Sequence, residues 1–361
     1  MSILIFLIVL FVLVLVHELG HFVVAKLTKM RVDEFGIGFP PRLFSVQKGE
    51  TRYSFNLFPI GGFVKIYGEN SEGAVAADSR SFSSRPKWMQ ALVLIAGVTM
   101  NVFLAWALFA AVFATGTYTS VPESEASDAA TLTIVSILPD SPIANADVPL
   151  GSEVVLLTTS SDQLDTLTPS GFREFVREHE VESMTLSYAN GSDVVEVTLT
   201  PARGLTEEDT VAVVGAGLSL VEVVRLPIHE AFGEAAVLTV TTLRDITLGL
   251  GGLLVNAVQL KADFSQVAGP IGIVGLVDEA SSFGVSALLM FTAFISLNLA
   301  VINLLPFPAL DGGRLLMVGI EAVKRSPISP NFVGTVNSIG FVILILLMIA
   351  VTYNDIVRIL S

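Results

Sequence analysis

Two histidines and a glutamate near the start of the chain have the spacing of a metal-hydrolase motif. His17, Glu18 and His21 form an H-E-x-x-H pattern. Positions i and i+4 of a helix share one face, so the two imidazoles can bind one metal ion. Glu18 then lies beside that ion as a base that can deprotonate a water molecule. Imidazole and carboxylate ligands with an open position are typical of hydrolytic zinc sites, so the predicted cofactor is Zn²⁺.

The motif lies within an apolar segment that is long enough to cross a membrane. Residues 3–16 contain no polar side chain, and residues 22–25 continue the apolar run after the motif. A helix over residues 3–25 is about 34 Å long, which exceeds the thickness of the hydrocarbon core. Buried histidines can also be ordinary hydrogen-bonded core residues. Ionisable side chains inside a membrane helix are usually functional, however, which favours metal binding here.

A hydrolytic zinc site needs a third protein ligand, and the best candidate is Asp311. It follows the third apolar segment, and Pro306 and Pro308 break the helix just before it. Irregular backbone at membrane depth is tolerated only where it lines a cavity, which favours a ligand over an ordinary Asp-Gly turn.

Four further residues are candidates for binding substrate. Asn298 and Asn303 lie in the third apolar segment, where their amides could hydrogen-bond a substrate backbone or could simply join two helices. Gly61 and Gly62 follow the strand-like residues 51–57. A sheet edge at this place could hold an extended substrate by strand addition, and a packed cap is the alternative.

Composition identifies an integral membrane protein with soluble parts. The chain is 52% hydrophobic, and its mean hydropathy is +0.72. It has no cysteine, which excludes disulfides and a thiolate metal site. Hydropathy predicts four membrane helices, at about residues 2–25, 88–114, 284–306 and 335–353. Residues 226–261 are predicted to form an amphipathic helix on the membrane surface because charged residues interrupt them; a fifth crossing is the alternative.

The distribution of charge predicts the orientation in the membrane. Residues 26–87 hold ten of the 20 Lys and Arg residues, whereas residues 115–230 hold 19 acidic residues and four basic ones. The positive-inside rule places the basic segment in the cytoplasm and the acidic region outside, so that both termini are extracytoplasmic in a cytoplasmic (inner) membrane protein. The net charge of −14 argues against nucleic acid as a partner.

These observations predict the following order of segments. The first helix with the motif spans 1–30, a cytoplasmic membrane-associated β-sheet 31–87, the second helix 88–114, a linker 115–130 and a small α/β domain 131–202. An extracytoplasmic amphipathic helix and a turn at Gly269-Pro270-Ile271-Gly272 span 203–283, the third helix with Asp311 spans 284–313, a cytoplasmic loop 314–334, and the last helix with the C-terminus 335–361.

Several of these motifs together resemble the site-2 protease family of intramembrane zinc metalloproteases, in its bacterial RseP-like branch. The H-E-x-x-H motif is followed by a second motif built from Asn303, Pro306-Phe307-Pro308 and Leu310-Asp311-Gly312. Further similar stretches cover nearly the whole chain in the family's order: Phe35-Gly36-Ile37-Gly38-Phe39, Pro59-Ile60-Gly61-Gly62-Phe63-Val64-Lys65, Gly97 with Asn101, and Gly269-Pro270-Ile271-Gly272.

The resemblance implies both a fold and a function. The expected fold is an α-helical polytopic membrane protein with four transmembrane helices, a cytoplasmic-side β-sheet and one extracytoplasmic PDZ-like α/β domain. Zinc is expected on His17, His21 and Asp311, with Glu18 as the catalytic base and the two asparagines seating substrate. The implied substrates are transmembrane segments of other proteins, trimmed beforehand by another protease, such as anti-sigma factors or remnant signal peptides.

Two other functions remain open at this point. One is a membrane metalloprotease whose active site faces the cytosol, which should take its third ligand from a glutamate on another helix. The other is a non-enzymatic membrane adaptor that gathers partners through its PDZ-like domain. The presence of both histidines and Glu18 argues against the adaptor.

Overall fold

The computed structural model describes residues 2–69, 78–190, 193–204, 212–259 and 268–360. The chain divides into two units, of which the first contains residues 1–114 and 227–361 and the second contains residues 115–226. The described helices are α1 (Ser2–Leu27), α2 (Lys87–Thr115), α3 (Pro142–Asn145), α4 (Pro169–Glu178), α5 (Ile228–Val258), α6 (Pro270–Ser282), α7 (Val285–Leu304), α8 (Asp311–Lys324) and α9 (Pro330–Leu360). The described strands are β1 (Val32–Lys48), β2 (Thr51–Ile66), β3 (Thr117–Val121), β4 (Thr131–Ile137), β5 (Glu153–Thr158), β6 (Met184–Asn190), β7 (Asp193–Leu199) and β8 (Ala216–Val224).

Several helices of the first unit are apolar and long enough to cross a membrane, as expected for a multi-pass membrane protein. The four segments predicted as membrane helices correspond to α1, α2, α7 and α9. Within the described residues, α5 also meets the length and hydropathy required of a span, which makes five such helices. The predicted number of four spans is therefore not confirmed. The charged residues that interrupt this segment are too few to lower the hydropathy of α5 below that of a membrane span.

Helices α1 and α2 approach each other closely because two glycines lie at their contact. A Cβ atom on Gly20 would lie 2.4 Å from the carbonyl oxygen of Ala96, and a Cβ atom on Gly97 would lie 2.5 Å from the His21 ring. The backbones can come this close only without those side chains. The face of α1 that carries the histidines is consequently packed directly on α2.

Strands β1 and β2 form the sheet predicted to follow the first helix. Phe35, in β1, pairs with Val64 on one side and with Tyr53 on the other. The first half of β1 therefore lies between two segments of β2, and the segment from Gly62 to Ile66 lies at one side of the sheet. Gly61 lies against α1, because a Cβ atom there would be 2.7 Å from the Val14 side chain. The sheet thus packs along the helix that carries the histidines.

The two ends of the first unit meet at α6. The Ser2 hydroxyl, at the start of α1, donates a hydrogen bond to Asp278 of α6. Near the end of α9, the buried Asp355 carboxylate accepts hydrogen bonds from the backbone N–H groups of Gly269 (3.1 Å) and Gly272 (2.8 Å). The segment predicted as a turn is therefore the N-terminus of a helix, and a carboxylate from another helix satisfies its free N–H groups.

The second unit is a six-stranded sheet with strand order β3-β8-β4-β5-β6-β7. Its core includes the fully buried Ile134, Leu157 and Leu186. Helix α4 begins at a Thr168 cap whose hydroxyl accepts a hydrogen bond from the N–H of Gly171. Residues 131–202 contain both helices and strands, as expected for the predicted α/β domain.

The predicted limits of this domain are wrong at both ends. The presumed linker 115–130 contains β3, and residues 216–224, assigned from the sequence to the amphipathic segment 203–283, form the strand β8 between β3 and β4. Both strands pair with residues far along the chain, and such pairing leaves little trace in local periodicity. The compact unit therefore spans residues 115–226.

The segment 314–334, predicted as a cytoplasmic loop, contains most of the helix α8, and its side of the membrane stays a prediction. The third apolar segment ends as a helix at Leu304, the turn 305–310 follows, and α8 begins at Asp311 itself. The two prolines in this turn predict the end of the preceding helix, but they do not predict that a new helix begins at Asp311.

Candidate metal centre

Three side chains from two distant parts of the chain meet at one point. His17 and His21 occupy the buried face of α1, and Asp311 is the first residue of α8. The Nε2 atom of His17 lies 2.9 Å from Oδ2 of Asp311, and the Nε2 atom of His21 lies 3.3 Å from the same oxygen. The two Nε2 atoms are 3.1 Å apart.

This donor set fits zinc. Zinc bonds of about 2.0–2.1 Å at tetrahedral angles separate two ligand atoms by about 3.4 Å. The three separations here are 2.9, 3.1 and 3.3 Å, so a shift of a few tenths of an ångström would accommodate the ion. Two imidazoles and one carboxylate leave a fourth position open, as hydrolytic zinc sites require. Within the described residues, this is the group of His, Asp and Glu side chains that could hold a metal ion.

The turn before α8 places Asp311 through close backbone packing. A Cβ atom on Gly312 would lie 2.2 Å from the carbonyl oxygen of Leu305, and one on Gly313 would lie 2.1 Å from that of Phe307. Ala309 adopts a positive φ of 73°, which is uncommon for a residue with a side chain. The two glycines therefore let the start of α8 fold back onto the turn. The N-terminal end of a helix also favours a negative charge such as the Asp311 carboxylate.

Glu18 is half-buried next to the two histidines and faces the β-sheet. Its carboxylate lies near the backbone N–H of Val64, in the β2 segment that packs along α1. Because Glu18 follows His17 directly on the helix, it lies beside the three donor atoms without being one of them. This position suits a general base.

Helix α2 contacts both histidines on the side away from Asp311. The Nδ1 atom of His21 lies 2.8 Å from the backbone oxygen of Val93, and the Nδ1 atom of His17 lies 3.3 Å from the side-chain amide of Asn101. Asn101 therefore joins α2 to the neighbouring helix α1.

The predicted substrate-binding residues are not all at the same place. Asn303 is half-buried in the last turn of α7, shortly before the turn that leads to Asp311. The amide of Asn298 donates a hydrogen bond to the carbonyl of Phe294 in its own helix. Gly61 and Gly62 are both buried, Gly61 against α1, and a Cβ atom on Gly62 would lie 2.8 Å from the carbonyl oxygen of Gly36. Their roles in binding substrate stay predictions.

Sequence reasoning missed the parts of the site that come from the backbone. The carbonyl of Val93 and the N–H of Val64 have no signature in side-chain type. The one available signal was the spacing of Val93, Gly97 and Asn101, which at four-residue intervals lie along one face of α2.

Comparison with known proteins supplies the family. The model of "Peptidase family M50" matches residues 5–347. A Clostridium perfringens protein named as a candidate zinc metalloprotease is 35% identical over 96% of this chain and 95% of its own length. The zinc metalloprotease RasP of Oceanobacillus iheyensis is 28% identical over 96% of each chain. The regulator of sigma-W protease RasP of Bacillus subtilis is 26% identical over 98% of this chain and 97% of its own.

These matches confirm the resemblance drawn from the motifs, the predicted zinc cofactor and the assignment as an enzyme, and they rule out the non-enzymatic adaptor. The chain belongs to Peptidase family M50, the site-2 proteases, and is a multi-pass zinc metalloprotease that acts in intramembrane proteolysis.

Proposed function

We propose that His17, His21 and Asp311 hold the zinc ion of this protease and that Glu18 is its general base. The observation that carries the proposal is the convergence of the three donor atoms, at 2.9 to 3.3 Å from one another, beside Glu18 on a helix that can cross the membrane. The reaction is hydrolysis of a peptide bond in a transmembrane segment of another protein.

The residues of the site divide the chemistry among them. Bound zinc supplies a Lewis acid that polarises the scissile carbonyl and acidifies a water molecule. The Glu18 carboxylate takes the proton of the attacking water and later delivers it to the leaving amine. The nearby N–H of Val64 would orient the Glu18 carboxylate for this proton transfer. Rigid support of this kind keeps the base within reach of the water.

The sheet offers a place for an unwound substrate. A peptide bond within a helix is shielded by its own turn, so the substrate must become extended before water can attack. Residues 62–65 of β2 pair with β1 on one side, and the described residues show no strand on the other. Val64, in this edge segment, contacts Glu18, so a substrate strand added here would run past the base. Gly61 and Gly62 would serve by keeping this edge close to α1.

The contacts at α6 and the charges support a proposal for the orientation. The start of α1 and the end of α9 both bind α6, so they lie at the same end of the first unit. Both ends on one side of a membrane require an even number of crossings. The helices α1, α2, α7 and α9 meet this requirement, and a crossing by α5 would break it. Four spans with α5 at the membrane surface and both termini extracytoplasmic are therefore proposed, in the cytoplasmic membrane and with the basic segment 26–87 inside.

The second unit is proposed to be the PDZ-like domain, on the extracytoplasmic side. Strand β3 pairs with β8 only from Leu220 to Val224, which leaves Ala216 to Leu218 with a free edge among the described residues. A groove of about 700 Å³ lies between this part of β8, the end of β4 and helix α4. PDZ domains bind a peptide as an added strand in such a groove. This domain would restrict the active site to substrates that another protease has already shortened.

The substrate class follows from the same proposal. The name of the Bacillus subtilis relative connects that protein with the regulation of sigma-W. We expect this chain likewise to cleave anti-sigma factors, or remnant signal peptides, within their membrane helices. The natural substrate would accumulate in cells that carry an inactive enzyme, and a quantitative comparison of their membrane proteins would identify it.

One alternative is a protease that acts on cytosolic polypeptides from the same site. This alternative predicts a glutamate as the third metal ligand, whereas the third candidate ligand beside the two histidines is Asp311. Cleavage of an unfolded soluble protein at the same rate as a transmembrane substrate would favour this alternative. Strong preference for the transmembrane substrate supports the intramembrane reaction.

Glu18→Gln and Asp311→Asn separate the two roles. The purified Glu18→Gln enzyme should bind zinc normally and cleave a model transmembrane substrate at least about a hundredfold more slowly, because only the base is lost. Asp311→Asn should lose zinc affinity as well. Cleavage at the wild-type rate by Glu18→Gln would remove Glu18 as the base, and unchanged zinc affinity in Asp311→Asn would remove Asp311 as a ligand. Both zinc contents are measured by elemental analysis after dialysis against a chelator.

The role of the PDZ-like domain is tested with two forms of one substrate, either with its extracytoplasmic domain or without it. The wild type should cleave only the shortened form. An enzyme with a bulky residue in the groove lining, such as Arg177→Trp on the exposed side of α4, should change this selectivity and keep its zinc. Equal cleavage of both substrate forms by the wild type would contradict the proposed filter.

A further inference from the structure

One face of α2 forms the rear wall of the metal centre. Val93, Gly97 and Asn101 follow one another at four-residue intervals, which places them in a line along the helix. Val93 meets His21 and Asn101 meets His17, while Gly97 between them leaves room for both rings. The Nδ1 atoms of both imidazoles therefore contact α2, their Nε2 atoms face Asp311, and Gly97 lies against the edges of both rings.

The contact with Val93 determines the tautomer of His21. A backbone carbonyl can only accept a hydrogen bond, so Nδ1 of His21 must carry the proton that it donates over 2.8 Å. The lone pair of a neutral ring is then on Nε2, which faces His17 and Asp311. This is the form in which an imidazole binds a metal through Nε2.

To bind zinc through Nε2, His17 must also carry its proton on Nδ1. The orientation of the Asn101 amide determines whether Nδ1 can donate this proton. The side chain of Asn101 is fully buried, its Nδ2 lies 3.3 Å from Nδ1 of His17, and its Oδ1 has no hydrogen-bond partner among the described residues. In this orientation Nδ1 would have to accept, and the proton would be on Nε2, where the metal must bind. A half-turn of the amide exchanges two groups of nearly the same shape. It places Oδ1 against Nδ1–H of His17, so that the oxygen gains a partner, and it moves Nδ2 to the position that Oδ1 held.

We infer that Asn101 is a positioning residue that accepts a hydrogen bond from Nδ1–H of His17 through its side-chain oxygen and so keeps Nε2 free for zinc. Asn101 and the carbonyl of Val93 then perform the same task for the two histidines, from one face of α2. The inference rests on the zinc site proposed above. It predicts that the site depends on a residue that touches neither zinc nor substrate.

Two substitutions of similar size test the hydrogen bond. Asn101→Leu removes the acceptor and should weaken zinc binding about 10- to 100-fold in competition with a chelator, the usual effect of losing the partner of a ligating histidine. Asn101→Asp keeps an acceptor at the same place and should remain within about threefold of wild type. Ser296→Ala is the matched control, because the Ser296 hydroxyl donates a hydrogen bond to the backbone oxygen of Asn101 at 2.8 Å and not to its side chain, and zinc affinity should not change.

A measurement on the unaltered chain tests the tautomer directly. The protein has four histidines, so nitrogen NMR of the histidine-labelled, zinc-loaded protein gives a spectrum simple enough to assign with a His17→Gln variant. We expect His17 to carry its proton on Nδ1 and to bind zinc through Nε2. In Asn101→Leu the proton on Nδ1 of His17 should exchange with solvent faster.

Three results would overturn the inference: zinc coordination through Nδ1 of His17, wild-type zinc affinity in Asn101→Leu, or equal losses in Asn101→Asp and Asn101→Leu. These outcomes differ from a failure of the zinc site itself. If His17, His21 and Asp311 do not bind zinc, the wild type and all three variants would show the same absence of a high-affinity site.

Discussion

Gly97 is the position where a single methyl group should disable the enzyme. A Cβ atom there would lie 2.5 Å from Nε2 of His21, 2.7 Å from its Cε1 and 2.8 Å from Cε1 of His17. Ordinary contacts of a Cβ atom are about 3.5–4.0 Å long, so Gly97→Ala forces the rings and α2 apart by about 1 Å. Metal sites tolerate deviations of only about 0.2 Å in their ligand distances.

The expected consequences are a loss of zinc and of activity. Displacement of about 1 Å at a catalytic site costs about a hundredfold in rate. We therefore expect Gly97→Ala to lose at least about tenfold in zinc affinity and about a hundredfold in cleavage of a transmembrane substrate. Zinc affinity is measured by chelator competition and cleavage by gel analysis in detergent or liposomes.

Gly275→Ala provides the control for this substitution. Gly275 also lies in a helix, α6, but a Cβ atom there meets no atom within 4 Å. This change should leave zinc affinity and activity intact and raise stability by about 0.5–1 kcal/mol. If Gly97→Ala binds zinc and cleaves substrate as the wild type does, the close packing of α1 on α2 at the metal centre is refuted.

Three further predictions concern the packing around the site. Asp355→Ala removes the acceptor of two N–H groups at the start of α6 and should lower the free energy of unfolding by about 1–3 kcal/mol, measured by thermal denaturation. Gly61→Ala should destabilise the protein more than Gly49→Ala. Both glycines have positive φ, but only a Cβ atom on Gly61 would lie against Val14. Equal losses of unfolding free energy in the two variants would show that this contact does not matter. Ile134→Ala should destabilise the second unit by about 2–5 kcal/mol and leave zinc affinity unchanged, because Ile134 lies in the core of that unit; a loss of zinc would contradict this expectation.

The sequence alone was sufficient for the local parts of this protein. The periodicity of a helix brings His17 and His21 to one face whatever surrounds them, and apolar runs of sufficient length predict α1, α2, α7 and α9. The choice of Asp311 rested on its position after a span and two prolines. Its motif, together with the first, was specific enough for the family, which the comparisons then confirmed.

The tertiary structure decided what depends on contacts between distant residues. Asp311 is 294 residues from His17, and only the fold of α8 onto its turn brings the two within 2.9 Å. The strands β3 and β8 extend the second unit beyond its predicted limits because each finds its partner far along the chain. The carbonyl of Val93 lies beside His21, and the N–H of Val64 lies beside Glu18. Both are backbone groups, so the residue types at these positions could not predict them. Side-chain types can thus predict the chemistry of a site. Which backbone groups orient its ligands depends on how the helices and strands pack.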